Sequence, residues 1–247
     1  MTKTDDYRQK LSELDDWDTF LMAESGLPGP RANLTLADAA AAKGDAVRFQ
    51  HWLEYTAQIA PSNTPREFLS LCGAVGLGRL LAEGHEEVLP MLRICVSDTR
   101  WRMREGVAMA LQRWGDVAMT RLIDEMEIWS SGSLFEKRAV VAALCEPRLL
   151  KRSAHIQRVL NLLDNVTGTI AQQSDRKNEA FLALRKGLGY CWSVAVAAYP
   201  KAGKHHMNNW LNSTDKDIRW IMRENLKKDR LIRMDVAWVE VALAKVE

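Results

Sequence analysis

The sequence contains one hexapeptide twice, and this repetition constrains the fold more than any other feature. The chain reads RWRMRE at Arg100–Glu105 and RWIMRE at Arg219–Glu224, so five of six letters agree across 119 positions. An aspartate stands two residues ahead of each copy, at Asp98 and at Asp217, and the shared pattern becomes Asp-x-Arg-Trp-x-Met-Arg-Glu. Internal similarity of this kind is typical of repeat proteins, in which each copy is one small supersecondary unit.

The pattern around the copies predicts an all-α chain. Apolar residues recur at the spacing of one helix face, and the sequence has neither sustained apolar–polar alternation nor an Asn-Gly or Asp-Gly hairpin turn. Turn residues separate the helical stretches at short intervals, which indicates a series of helical hairpins. The helices are predicted at 46–59, 66–82, 86–96, 99–113, 116–129, 134–145, 153–171, 176–198, 201–211, 216–228 and 235–245.

The first 45 residues differ from the rest of the chain. Here an acidic helix and a short helix at Leu34–Ala42 flank Ser25–Arg31, a stretch rich in Pro and Gly. We therefore predict a helical cap with a Pro/Gly link over residues 1–45 and a repeat array over residues 46–247. The second hexapeptide continues into the polar stretch Asn225–Asp229, which suits a capping unit whose outer face meets water.

The shared residues of the hexapeptide are expected to have structural roles. Asp98 and Asp217 are predicted N-caps, because a carboxylate oxygen there accepts hydrogen bonds from unpaired N–H groups at a helix start. The tryptophan of each copy is expected to pack on the preceding helix. The later arginine of each copy, Arg104 or Arg223, is expected to reach an aspartate or the carbonyl groups of a neighbouring unit.

Patterns that carry catalytic or metal chemistry are sparse. Among the five histidines only His205 and His206 are adjacent, and we interpret them as a surface pair that follows a turn. There is no HExxH, CxxC or GxSxG pattern and no complete phosphate-binding loop, so no metal, cofactor or catalytic residue is predicted. The glycines of Gly73–Gly78 are expected to let two helices approach closely.

Cysteine usage and hydropathy predict a cytoplasmic protein with no membrane segment. The four cysteines (Cys72, Cys95, Cys145 and Cys191) are far apart, and each lies in an apolar run, as expected of free thiols in a reducing compartment. The charged N-terminus lacks the apolar core of a secretory signal, and no stretch approaches the roughly 20 apolar residues that a membrane-spanning helix needs.

The small net charge of +2 conceals an uneven distribution. Residues 1–147 carry 16 Lys and Arg against 22 Asp and Glu, whereas residues 148–233 carry 17 against 7. A strongly basic segment beside an acidic one indicates a surface that faces a polyanion.

The repeated pattern resembles the HEAT-repeat signature: an aspartate, an apolar residue three positions on, an arginine six positions on, and an apolar run that closes in Ala-Leu. Glu136–Leu144 is a weaker echo. The resemblance covers about residues 46–233 and implies an armadillo-type fold, a right-handed α-α superhelix of stacked helical hairpins. The matching residues of the first copy are Asp98, Trp101, Met103, Arg104, Ala110 and Leu111.

In HEAT solenoids the second helices of successive hairpins line a concave surface, and the resemblance implies such a surface here. Lysine and arginine there would contact phosphates, and aromatic rings would stack on bases. Lys137, Lys186 and the Lys227–Lys228 pair are expected to face solvent or ligand, whereas Arg104 and Arg223 are expected to be paired. The candidate residues for binding nucleic acid or a partner are Arg100, Trp101, Arg102, Lys137, Arg138, Arg185, Lys186, Trp192, Arg219, Trp220, Lys227 and Lys228.

Three functions remain open at this point. The leading hypothesis is a non-enzymatic HEAT-repeat scaffold that binds an acidic macromolecule, and a variant of it is an adaptor for one protein partner. The alternative is an enzyme, a DNA glycosylase, or else a nucleic-acid-binding protein of alkylation repair, because the fold and the groove of cations and tryptophans are similar to those of HEAT-like DNA glycosylases of alkylation repair. That resemblance implies a carboxylate, Asp98 or Asp217, beside a tryptophan. The candidate tryptophans are Trp101, Trp192 and Trp220.

Overall fold

The computed structural model describes residues 2–246, and within that range it contains fourteen α-helices, one 3-10 turn and no strand. The prediction of an all-α chain is confirmed. The helices form two compact units, Met1–Val117 and Ala118–Glu247, which we call unit 1 and unit 2. No helix between residues 2 and 246 is both long and apolar enough to cross a membrane.

Unit 1 is built around α5, because 14 of the 18 residues of this helix are buried. A helix that is apolar on every side is stable only when neighbours surround it, and α2, α3 and α4 all pack on α5. The predicted N-terminal cap therefore lies inside unit 1. Its helices are α1 (Lys3–Glu13), α2 (Trp17–Ala23), α3 (Leu34–Lys43), α4 (Ala46–Leu53), α5 (Pro65–Ala82), a 3-10 turn at Glu86–Val88, α6 (Leu89–Cys95) and the first part of α7 (Trp101–Trp129).

The glycines of α5 mark two close approaches, as the sequence predicts. A Cβ on Gly76 would lie 2.3 Å from the ring of Phe49 in α4. A Cβ on Gly78 would lie 2.4 Å from the Cα of Ala110 in α7. Both glycines are therefore required by packing, since no other residue leaves room for the neighbouring helix.

The boundary predicted between helices at 99–113 and 116–129 has a counterpart in helix α7, as a break close to the predicted position. The structure has one helix, Trp101–Trp129, that is interrupted at Ala118, where φ is −138° and ψ is 50°. The turn signal at Gly115–Asp116 therefore marks a break in helical geometry rather than a loop. Ala118 is also the first residue of unit 2.

Unit 2 contains a row of three helices with α10 in the middle. A Cβ on Gly187 would meet Val141 of α8 at 3.4 Å, and a Cβ on Gly189 would meet Trp220 of α12 at 2.9 Å. Residues two positions apart point to nearly opposite sides of a helix, so α8 and α12 flank α10. The helices are α8 (Leu134–Leu144), α9 (Ser153–Gly168), α10 (Glu179–Ala198), α11 (Pro200–Asn208), α12 (Lys216–Leu226), α13 (Asp229–Met234) and α14 (Val236–Val246).

The C-terminal end of unit 2 departs from the prediction in two ways. The predicted helix at 216–228 ends at Leu226, and a short helix that the sequence did not indicate, α13, follows it. Asn225, expected to meet water, is fully buried. Its Oδ1 accepts from the N–H of Ser193 at 2.8 Å, and its Nδ2 donates to the carbonyl of Leu188 at 2.8 Å. Asn225 therefore joins α12 to α10.

The cysteines behave largely as small apolar side chains. All four are free thiols; Cys72, Cys145 and Cys191 are buried, and Cys95 is partly exposed. Burial raises the pKa of the Cys95 thiol to about 11. The nearby Asp98 carboxylate also acts to raise this pKa.

The close approach of α5 and α7 gives a direct test of the packing. We expect Gly78→Ala to lower stability, because the new methyl group would overlap the backbone of Ala110, and overpacking costs about 1–3 kcal/mol. Gly168→Ala is the matched control, since its Cβ would be 3.7 Å from Trp210 and makes an ordinary contact. Urea unfolding should show a lower midpoint for Gly78→Ala only, and equal midpoints would contradict the close approach.

Candidate polyanion-binding surface

The first hexapeptide contributes buried arginines that bond to other segments of unit 1. Arg100 is 2% exposed, and its guanidinium donates to Asp98 at 2.7 Å and to the carbonyl groups of Tyr55 and Ala60 at 2.9 and 3.0 Å. Five N–H donors on a rigid plane suit this task, because one side chain can satisfy several acceptors at once. Arg100 therefore fixes the loop between α4 and α5.

Arg102 anchors a second loop of unit 1. It is 5% exposed, its Nη1 contacts the fully buried Glu67 at 3.1 Å, and its Nη2 donates to the carbonyl of Gly29 at 2.7 Å. This contact ties the Pro/Gly stretch Ser25–Arg31 to the start of α5. The predictions that Arg100 and Arg102 bind a ligand are wrong, because both guanidinium groups are buried and bonded inside unit 1.

Arg104 and Trp101 are the other notable residues of the first copy. The Nη1 of Arg104 donates to the carbonyls of Asp98 and Thr99 at 2.6 and 3.2 Å, so this arginine is paired as expected and bonds the residues just before its own helix. Trp101 is 49% exposed, with the guanidinium of Arg102 4.6 Å from its ring centroid. Trp101 therefore does not pack in the core, and it stays a candidate binding residue of unit 1.

In the second copy, a different aspartate caps the helix. Asp215 accepts from the N–H groups of Asp217 and Ile218 at 2.9 and 3.2 Å and is the N-cap of α12. Asp217 lies inside the helix and pairs with Arg176 at 2.9 Å and with Arg185 at 2.7 Å. In the first copy, Asp98 accepts a hydrogen bond from the backbone N–H of Arg100, the residue just before α7. The prediction that Asp217 is an N-cap is wrong.

The carboxylates proposed for glycosylase chemistry are engaged in ion pairs. Asp98 receives the backbone N–H and the guanidinium of Arg100, and Asp217 receives two guanidinium groups. Trp192 is fully buried, and its Nε1 donates to Thr167 at 3.0 Å. These carboxylates therefore do not stand free beside an exposed tryptophan.

Two further candidates lie inside unit 2 rather than on its surface. Trp192 cannot stack on a base, because neighbouring side chains cover its ring. Lys137 is 8% exposed, and its Nζ donates to the carbonyl of Gly132. Burial lowers the pKa of Lys137, while the neighbouring Glu136 acts in the opposite direction. The predictions that Trp192 and Lys137 face a ligand are wrong.

Trp220 and Arg185 form a stacked pair between α10 and α12. The guanidinium carbon of Arg185 lies 3.7 Å from the centroid of the Trp220 ring, and Gly189 leaves space for the edge of that ring. Trp220 is half-buried, and Arg185 also pairs with Asp217. This pair joins the two helices. Arg138 on α8 and Arg219 on α12 are half-buried as well.

The remaining candidates lie on α10 and just after the end of α12, and of these Lys228 is half-buried. Lys186 is exposed and makes no ion pair within residues 2–246, and Lys227 is exposed and pairs with Glu224 at 2.8 Å. We call the group Arg185, Lys186, Tyr190, Trp220, Lys227, Lys228 and Arg230 the α10–α12 surface.

Tyr190 and Arg230 also belong to this surface, although no sequence motif marks them as binding residues. Tyr190 is 45% exposed and lies one helical turn after Lys186, on the same face of α10. The Nη2 of Arg230 donates to the Tyr190 hydroxyl at 2.5 Å, and the Nζ of Lys228 is 5.8 Å from the ring centroid. The four-residue spacing from Lys186 indicates that Tyr190 lies on the same helix face. Arg230 is 40 residues away from Tyr190 in the sequence, so no local spacing relates the two.

The α10–α12 surface has an excess of positive charge. Helix α10 and residues 216–230 together carry eight Lys and Arg against four Asp and Glu. The hydrogen bond from Lys227 lowers the pKa of Glu224 below its usual value, despite partial burial. Because Asp217 is already neutralised by two arginines, the exposed part of this surface is cationic.

A polar pocket lies between α9 and α11, and it contains the histidine pair. Asp164 accepts from Nδ1 of His206 at 2.5 Å and from Nε1 of Trp210 at 2.7 Å. The Nε2 of His206 lies 2.8 Å from the amide nitrogen of Gln157. Both ring nitrogens and both carboxylate oxygens therefore have partners, and the cluster joins α9 to α11. Of the adjacent pair, His205 is exposed as the sequence predicts, whereas His206 is half-buried.

Comparisons with protein-family models, with curated proteins and with solved structures found no match to this chain. Within residues 2–246, no three His, Cys, Asp or Glu side chains are grouped as a metal site requires. Any assignment of function therefore has to be argued from the surfaces themselves.

The buried Arg102–Glu67 pair gives the second prediction. Arg102→Ala should cost about 3–5 kcal/mol, because it leaves the carboxylate of Glu67 buried without its charge partner. The double variant Arg102→Met, Glu67→Leu removes both charges and should recover much of that loss. Arg66→Ala, at an exposed neighbour, is the control and should leave the urea midpoint unchanged. A single variant as stable as the double variant would contradict the role of the pair.

The N-cap of α12 gives a pH-dependent prediction. Burial raises the pKa of Asp215, but hydrogen bonds from Arg176 and from two backbone N–H groups outweigh burial and lower it overall. Stability from a lowered carboxyl pKa is present above the unfolded value near 3.8 and is lost as the pH falls through the folded value. At pH 7, Asp215→Asn should therefore unfold at lower urea than the wild type.

The two proteins should converge in stability as the pH falls to about 3, because the wild-type carboxyl is then increasingly protonated as well. The control is Glu240→Gln, at an exposed position on α14, which should follow the wild type at both pH values. A stability difference of equal size at pH 7 and pH 3 would show that the Asp215 charge is unimportant.

Proposed function

We propose that this chain is a non-enzymatic HEAT-like scaffold that binds an acidic macromolecule, nucleic acid above all, through the α10–α12 surface of unit 2. The observation that carries the proposal is the exposure of Lys186 and Tyr190 on α10 and of Lys227 at the end of the adjacent α12, where cations are in local excess. Cations neutralise phosphates and release counterions, and an exposed ring can stack on a base.

The HEAT-like part of the proposal rests on helix order within unit 2. Helices α8, α10 and α12 are alternate helices of the chain and lie side by side, while α9 packs on α8, α10 and α11. Stacked helical hairpins produce this pattern, since equivalent helices of successive hairpins become neighbours. In the proposed solenoid the row α8–α10–α12 would be the concave layer, and the α10–α12 surface would face the ligand.

The distribution of paired and unpaired cations favours binding over a purely structural role. The structural arginines of unit 2 are half-buried, and Arg176 and Arg185 share the carboxylates of Asp215 and Asp217. Lys186 has no such partner within the described chain, and Lys227 is held only by an exposed pair with Glu224. Exposed ion pairs contribute about 0–1 kcal/mol, so a phosphate can displace Glu224 at little cost.

The enzymatic alternative, a HEAT-like DNA glycosylase, gains no support from the proposed carboxylates, because arginines occupy both of them. An acidic protein is the remaining alternative partner. It would use the same cations, and binding of an oligonucleotide distinguishes the two kinds of partner.

The proposal predicts weak binding of nucleic acid that depends strongly on salt. The triple variant Lys186→Glu, Lys227→Glu, Lys228→Glu should bind a labelled oligonucleotide much more weakly than the wild type. The slope of log K against log salt should become shallower by about 0.9 for each phosphate that the variant no longer neutralises on duplex DNA, and by about 0.7 on single strands. Fluorescence anisotropy at salt concentrations from about 20 to about 200 mM measures both quantities.

A matched control distinguishes binding by this surface from binding that depends only on the net charge of the protein. Lys10→Glu, Lys43→Glu, Lys151→Glu makes the same change in total charge at three exposed lysines outside the surface, and it should retain the wild-type slope. An equal weakening in both triple variants would mean that binding follows overall charge and not this surface. No binding by the wild type at about 20 mM salt would refute nucleic acid as the partner.

A further inference from the structure

We propose that the ligand of the α10–α12 surface is single-stranded nucleic acid, and that an unpaired base stacks on Tyr190. This inference rests on the function proposed above and names its substrate class. The placement of one aromatic ring among the cations of unit 2 supports it.

Tyr190 is the exposed aromatic ring of unit 2. Of the aromatic side chains in residues 118–246, it alone belongs to the exposed large apolar residues. Trp192 is buried and hydrogen-bonded, and Trp220 is covered by the guanidinium of Arg185. A base that approaches this surface therefore meets one accessible ring.

The ring of Tyr190 is held in place before any ligand binds. Arg230 donates to its hydroxyl at 2.5 Å, and the guanidinium carbon of Arg230 lies 4.7 Å from the ring centroid. The hydrogen bond fixes the end of the side chain, so little conformational freedom remains to be lost on binding. Because this guanidinium lies over one face of the ring, a base would stack on the other face.

Cations lie on two sides of this ring. Lys186 is four residues earlier on α10, which corresponds to a rise of about 6 Å along the helix. Lys228 and Arg230 approach the ring from the segment after α12. A strand whose base stacks on Tyr190 therefore has positive charge available for phosphates on either side of that base.

Duplex nucleic acid cannot use the ring in this way. Bases in a duplex are stacked on one another and paired, so their faces are not available to a protein side chain. A single strand presents its bases freely, and stacking on an aromatic side chain is tolerant of sequence because every base has a π-face. The combination of an exposed ring and flanking cations consequently favours single strands over duplexes.

The test compares two substitutions at Tyr190 on two forms of the same oligonucleotide. Tyr190→Leu removes the ring, and it should weaken binding of a labelled single strand of about 20 nucleotides by roughly 5- to 150-fold. Binding of the matched duplex should not change. Tyr190→Phe keeps the ring and should bind the single strand within about threefold of the wild type. Circular dichroism and thermal melting should be the same for all three proteins, since the side chain is exposed.

A strand in which abasic spacers replace the central nucleotides tests stacking itself, because it keeps the phosphates and lacks the bases. Wild-type protein should lose as much affinity on this strand as Tyr190→Leu loses on the intact strand, and the variant should lose nothing further. If the abasic spacers and Tyr190→Leu each lower the affinity independently, so that their effects add, the stacking inference is wrong.

The outcomes separate this inference from the function on which it rests. If Tyr190→Leu binds single strands like the wild type while the Lys186, Lys227, Lys228 variant does not, the stacking inference is wrong and the polyanion surface stands. Tighter binding of the duplex than of the single strand would also show that the stacking inference is wrong. If the wild type binds neither form at about 20 mM salt, both proposals fail.

Discussion

Arginine–carboxylate pairs that are withdrawn from solvent stabilise each of the two units from within. In unit 1, Arg100 bonds Asp98 and Arg102 bonds Glu67, and each arginine also fixes a loop through backbone carbonyls. In unit 2, Asp217 lies between Arg176 and Arg185. Helical hairpins bury their apolar faces well but leave loop carbonyls and helix starts unsatisfied. A planar guanidinium with five donors satisfies several of these groups at once, which explains why arginine is used so often at these places.

This use of arginine decides which charges remain for a ligand. The cations closest to the core are neutralised by aspartate or glutamate or by carbonyl groups, and they contribute to stability. Among the described residues, Lys186 on α10 has no such partner, and Lys227 after the end of α12 has only an exposed one. A basic sequence segment therefore divides into structural arginines and available lysines. Lys186 and Lys227 are two of these available lysines and lie on the same α10–α12 surface as Tyr190, and the proposed binding of a single strand depends on that division.

The small residues of the helices have a comparable role. Gly78 permits the backbone of α7 to approach α5, and Gly189 makes room for Trp220 between α10 and α12. Because Trp220 fills the space beside Gly189, one edge of its ring lies between the helices, and the ring is half-buried. The neighbouring Tyr190 is turned about 100° further round α10 and points outward. The positions of glycine along α10 thus determine which aromatic ring is exposed.

The sequence by itself determined that the chain is helical, where most of the helices lie and which segment is basic, because helix periodicity, turn residues and charge are local properties. It also indicated the close packing at Gly76 and Gly78. The sequence could not show that Arg102 pairs with Glu67, that Asp215 rather than Asp217 caps α12, or that Trp192 is buried and Tyr190 exposed. The two aromatic positions depend on partners 25 and 40 residues away, Thr167 for Trp192 and Arg230 for Tyr190. Only tertiary packing brings such partners together, since the face of a helix that is buried is chosen by its neighbours.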